Sequence, residues 1–148
     1  MIDSAVLVQL MEEMIPFNRF LGLKVIHVER GLARIQIPFR DELVGDFMRP
    51  ALHGGVISTI IDVAGGFAVW THLDNERGRV STIDLRVDYL RPGRLTAIHA
   101  EARVVRAGNR VGVVDVRVFH PDAEDVTIAT GKGVYNIMLA KTELTPKS

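Results

Sequence analysis

Asp62 stands in the middle of "LHGGVISTIIDVAGGFAVW" (52–70), a run otherwise made of apolar and small residues. An ionised carboxylate is costly to bury unless a partner or a reaction uses it, so Asp62 needs an explanation. His53-Gly54-Gly55 opens the same run. The start of a helix leaves backbone N–H groups without partners at its positive end, and glycines leave those groups uncovered. Such a start can hold a carbonyl oxygen as negative charge develops on it. Each feature also has a plainer reading. Asp62 could bond Ser58 or Thr59 and pack, while the glycines permit a turn that His53 caps.

At helical spacing Gly55, Thr59, Asp62 and Gly66 fall at i, i+4, i+7 and i+11, with Ser58 beside them. This face is small and polar, unlike Val56, Ile57, Ile60, Ile61, Val63, Phe67 and Val69. Another backbone can approach it closely, and a ligand entering past Gly55 and Thr59 would reach the carboxylate. Gly54 and Asp62 lie about 12 Å apart along a helix rising ~1.5 Å per residue, too far to act on one carbonyl. Two copies packed antiparallel would bring the acid of one chain beside the Gly54 amide of the other, giving two equivalent sites.

The elements that must position these groups follow from periodicity. Residues 3–15 read as a short amphipathic helix that stops at Pro16. Segments 23–29 and 32–39 flank Arg30-Gly31 and read as a hairpin, and 40–52 reads as irregular. The apolar helix spans roughly 53–72. Segment 80–90 alternates, with Ile83, Leu85, Val87 and Tyr89 on one face and Thr82, Asp84, Arg86 and Asp88 on the other. Segments 95–106, 110–119 and 126–138 are further strands. The fold class is α+β, with about six antiparallel strands curled around one helix. Strands alone cover only part of so apolar a helix, which implies a homodimer.

Composition bounds the rest. At 148 residues and 47% hydrophobic content, one domain over 1–148 is expected. With 18 basic against 18 acidic residues there is no global field to attract nucleic acid. There are no cysteines, which excludes disulfides, thiolate metal sites and Cys nucleophiles. His27, His53, His72, His99 and His120 are scattered singly, against a metal-ligand cluster. "MIDSAVLVQLMEEMIPF" lacks a basic n-region and a cleavage site, and 51–70 carries His53, Asp62 and four glycines. A cytoplasmic location without membrane insertion is expected.

"HGGVISTIIDVAGG", preceded by "PFNRFLGLKV" and followed by "TIDLRVDYLRPGR" and "VVRAGNRVGVVDVRV", resembles the hotdog-fold acyl-CoA thioesterases of the PaaI-like, phenylacetate-pathway branch. The similarity runs in order along nearly the whole chain. It implies a helix wrapped by an antiparallel sheet, dimers with shared sites, and dimers pairing into tetramers. It makes Gly54 the amide that polarises the thioester carbonyl and Asp62 the nucleophile or general base. His53 then shapes the helix start, and Thr82 matches a Ser/Thr position that orients water or the acid. Related enzymes often carry Asn six or seven residues before the His, where this chain has Asp46 and Phe47.

No cofactor is implied, since coenzyme A belongs to the substrate. Its phosphates need local cations, for which Arg91, Arg94, Asn109 and Arg110 in the "RPGR" and "AGNR" turns are candidates, although solvated hairpin residues would look the same. The acyl group is expected along the apolar seam near Phe47, Met48, Phe67 and Trp70. A hotdog-fold hydratase or dehydratase and a non-catalytic acyl-CoA-binding module are the alternatives.

Overall fold

The computed structural model describes residues 1–140. The chain begins with α1 (Ser4–Gln9), which widens into a π turn at Leu10–Met14 and is followed by α2 (Pro16–Leu21). The expected helix therefore does not end the segment. Pro16 opens a second helix, because at the first helical position its missing N–H costs nothing and its fixed φ suits the turn. The buried Asn18 side chain donates to the Met11 carbonyl at 3.0 Å, satisfying an acceptor at the end of the π turn. Gly22 then closes α2 in the left-handed conformation, at φ 67°.

β1 (Lys24–Glu29) and β2 (Leu32–Ile37) form the expected hairpin, with Gly31 at φ 80° in its turn. The segment expected to be irregular instead holds a 3₁₀ turn (Asp41–Leu43) and a small hairpin of β3 (Val44–Asp46) and β4 (Ala51–Leu52). These strands are too short to show periodicity. The long helix α3 (Gly54–Trp70) follows, then β5 (Arg79–Tyr89), β6 (Ile98–Ala107), β7 (Val111–His120) and β8 (Ala123–Met138).

The main sheet has the order β1-β2-β6-β7-β8-β5 and every neighbouring pair is antiparallel. After β2 the chain crosses the sheet as α3 and re-enters at the far edge as β5. It then returns to β6 beside β2 and meanders back through β7 to β8. The helix thus lies across one face and packs against β2, β5, β6, β7 and β8. Ile57, Ile60, Ile61, Ala64, Phe67 and Ala68 are its buried stripe. They share one cluster with Ile35, Ile37, Ala100, Ala102, Val114 and Val116 from the strands and Leu7 and Met11 from the N-terminal helices.

Close packing of helix on sheet is made possible by glycines on the strands. A Cβ at Gly131 would overlap the Ile61 side chain, and one at Gly112 would come within 2.7 Å of Val69. The opposite face of α3, carrying Gly55, Ser58, Thr59, Asp62, Val63 and Gly66, is not fully covered within the chain.

β5 departs from strict alternation. Thr82 pairs with Tyr135 and Asp84 with Val134, leaving Ile83 as a bulge. The extra residue shifts the phase, so Thr82 turns to the helix side together with Leu85 and Val87, and Ile83 is 58% exposed. The expected placement of Thr82 with Asp84 on the opposite face is therefore corrected. The bulge thereby brings Thr82 to the acid.

Candidate active site

The start of α3 is built by the small hairpin. A Cβ at Gly45 would fall on the His53 backbone, so this glycine lets β3 press against the helix start. The His53 N–H donates to the Leu43 carbonyl at 2.8 Å, and its Nδ1 accepts the Gly55 N–H at 2.8 Å. His53 is thus the N-cap of the helix, in an extended conformation. Its cap occupies the Gly55 amide, and the Val56 N–H turns to the His53 carbonyl at 2.9 Å. The row of free donors expected at the helix start is reduced to one. Among the described residues the Gly54 N–H has no protein acceptor. Tyr89 flanks it, donating its hydroxyl to the Gly54 carbonyl at 3.2 Å.

Asp62 lies two turns further along. Thr82 donates its hydroxyl to Asp62 Oδ1 at 2.7 Å. Tyr135 donates to the Asp62 carbonyl at 2.8 Å and approaches Oδ1 at 3.3 Å. The plainer reading of this acid does not hold, because Ser58 and Thr59 both turn their hydroxyls to the Gly55 carbonyl, at 3.1 and 2.7 Å. Burial, and then the adjacent Asp62 carboxylate, push the Tyr135 phenol well above its ordinary range, so it stays protonated and a donor. Asp62, Thr82 and Tyr135 border a cleft of about 260 Å³ whose other walls include Met11, Ile15, Phe67 and Trp70. A carboxylate held by hydroxyls beside an apolar cleft suits attack on, or water activation at, the head of an apolar substrate.

The sequence profile of the Thioesterase superfamily matches residues 47–127, which include both the helix start and the acid. The chain belongs to the thioesterase superfamily. Its general reaction is thioester hydrolysis. The chain is similar to the medium/long-chain acyl-CoA thioesterase YigI of Salmonella typhimurium, with 38% identity over 78% of this chain and 82% of that protein. YigI of Escherichia coli K12 is 36% identical over 82% of this chain and 85% of its own length. A crystal structure of a Shewanella oneidensis protein related to the thioesterase superfamily superposes with a TM-score of 0.80 at 31% identity. It covers 92% of this chain and 94% of that one. The wrapped helix is thus the hotdog fold of this superfamily.

The other expected site residues of this thioesterase fall into separate groups. Asp46 ends β3 at the mouth of the β3–β4 turn, where its Oδ1 accepts the N–H groups of Met48 and Arg49, each at 3.0 Å. The Arg49 and Met48 backbone bonds hold its carboxyl below the usual range. Phe47 and Met48 project from the same turn, 87% and 80% exposed, and do not line the cleft beside their own Asp62. Arg91 shares a depression with Gly54 and Tyr89, and donates to the Thr127 carbonyl at 2.6 Å. Arg94 is ion-paired with Asp122, so its charge is already offset.

Asn109 borders a depression with His72 and Leu73, at the opposite end of α3 from Gly54, and the Arg110 carbonyl accepts the Ile137 N–H at 2.7 Å. One chain therefore does not gather its candidate cations around its own acid. Sequence reasoning missed Tyr135, Tyr89 and the contribution of Met11 and Ile15. The signal for Tyr135 was present in "TGKGVY", where alternating glycines on a strand clear space on one face. Among the described residues no helix is long and apolar enough to cross a membrane.

Proposed function

We propose that this thioesterase hydrolyses medium- to long-chain acyl-CoA as an antiparallel homodimer, each site using Asp62 of one subunit and the Gly54 amide of its partner. The observation that carries this reading is the Asp62 carboxylate, fixed by Thr82 and Tyr135 at the edge of an apolar cleft. The names of the YigI relatives support the substrate class. The dimer is supported by the uncovered small face of α3 and by β5, an 11-residue strand left at the sheet edge.

Setting Gly54 opposite Asp62 puts the twofold axis midway between them, at Ser58, with Gly55 and Thr59 beside it. These are the small residues that allow two helices to approach. The same antiparallel arrangement carries the partner's Arg91 toward the side on which Asn109 and Arg110 of the first subunit lie. Phosphate groups of coenzyme A would meet cations from both chains there. The Phe47–Met48 tip of the partner would reach the region of Phe67 and Trp70.

Hydrolysis then needs little else. The Gly54 amide, at the positive end of the 17-residue helix, stabilises the oxyanion as the tetrahedral centre forms. Asp62 either attacks the carbonyl carbon, giving an anhydride that water cleaves, or takes a proton from an attacking water. In either route the coenzyme A thiolate leaves without a strong general acid. Thiol release across an acyl-CoA panel tests the proposal, with an expected loss of about a hundredfold or more in kcat for Asp62→Asn in a folded protein. Unchanged turnover rejects Asp62. Tight acyl-CoA binding without thiol release from any substrate favours a binding module instead.

A further inference from the structure

Tyr135 is 1% exposed, and its hydroxyl is deep in the protein where a phenylalanine would fill the same space without a polar group to satisfy. Three glycines make room for it. A Cβ at Gly65 would collide with the hydroxyl, one at Gly133 would come within 2.5 Å of the ring, and one at Gly66 within 3.3 Å. Two of these lie inside α3, where glycine weakens a helix.

The hydroxyl that this cradle admits reaches the helix backbone beside the acid. It donates to the Asp62 carbonyl at 2.8 Å and lies 3.3 Å from Oδ1. Thr82 is the residue directly opposite Tyr135 across the β5–β8 ladder, so the Ile83 bulge delivers a second hydroxyl to the same oxygen. Thr82 donates to Oδ1 directly, and Tyr135 reaches it by the longer arm of a proton shared with the Asp62 carbonyl. Among the described residues no donor is bonded to Oδ2.

We infer that Tyr135 is a positioning residue that, with Thr82, anchors Oδ1 of Asp62 and leaves Oδ2 as the single oxygen free to act on the thioester or its water. This rests on the assignment of Asp62 as the reacting acid. Losing one of two bonds to a charged acceptor frees the carboxylate to rotate about its last torsion, which lowers the fraction of time Oδ2 is correctly aimed.

Tyr135→Phe keeps the ring and removes only the hydroxyl, so packing is retained. Steady-state thiol release is expected to show kcat reduced about tenfold or more with KM changed less than about twofold. In the Asp62→Asn background the same change is expected to have no further effect on residual turnover, because there is no reacting oxygen left to aim. A kcat within twofold of the parent overturns the inference, as does an equal loss in both backgrounds, which would show Tyr135 acting through the fold. These outcomes are separable from failure of the functional reading. Asp62→Asn with full turnover removes Asp62 itself, whereas an inactive Asp62→Asn beside a fully active Tyr135→Phe leaves the acid in place and rejects only the role of Tyr135.

Discussion

A mixture of two inactive variants is expected to regain activity if the site is shared between subunits. Asp62→Asn removes the acid. Gly54→Pro removes the amide proton at the position where a helix tolerates proline best, the first residue after the cap. His53, which precedes it, has φ −60° and ψ 134°, as a residue before proline requires. Gly54 is not among the glycines with positive φ, and the nearest contact of an added Cβ is Tyr89, 3.3 Å away on a side chain 54% exposed and able to move.

Loss of an oxyanion donor costs about a hundredfold or more in kcat, so each variant alone is nearly silent. When equal amounts are unfolded together and refolded, roughly half of the dimers are mixed, and each mixed dimer pairs one doubly damaged site with one intact site. The mixture should therefore recover about a quarter of parental thiol release. Recovery requires that an intact Asp62 from one chain meet an intact Gly54 from the other. Activity no greater than the sum of the separate variants, from a mixture shown by native mass spectrometry to contain mixed dimers, refutes the shared site. Recovery well above a quarter would also refute it, since no more than one site per mixed dimer is whole.

Two further outcomes follow from other parts of the molecule. Burial first, and then the Arg34 charge, hold His99 below its ordinary value of 6.5, and burial, then Arg30, does the same to His72. A depressed histidine refuses a proton that the unfolded chain accepts, so its share of stability is present above about pH 6.5 and is lost as pH falls toward the folded-state value. The melting temperature should decline between pH 7.5 and 5.5, and less steeply in His99→Gln. A flat profile over that range would refute the assignment. Trp70 is the single tryptophan of the chain, and it lines the cleft with its indole N–H buried and without a partner among the described residues. Acyl-CoA added to Asp62→Asn should shift its emission while coenzyme A alone leaves it unchanged, and equal responses to both would place the acyl chain elsewhere.

The helix and the sheet were legible because burial imposes a period on sequence. α3 has seven buried aliphatic and aromatic side chains turned to one sheet, and the strands of that sheet alternate closely enough for each to be located within a few residues. The candidate acid and the glycine start stood out for the opposite reason, since they break that period. What escaped was geometry set by a single residue. The Ile83 bulge reverses the facing of Thr82, and strict alternation in "TIDLRVDY" gives no warning of it.

Tyr135 escaped because its partner lies 73 positions away, so neither residue explains the other locally. The glycines at 65, 66 and 133 look like concessions to helix approach or strand packing until the ring between them is seen. A stripe of small residues on a helix thus has two physical uses in this protein. Gly55, Ser58 and Thr59 face outward, where a second helix can approach, whereas Gly65 is turned inward to admit a phenol. Sequence spacing groups Gly66 with the first set, yet its nearest neighbour across the fold is the Tyr135 ring, which ties the surface that would meet a partner to the hydroxyl that holds the acid.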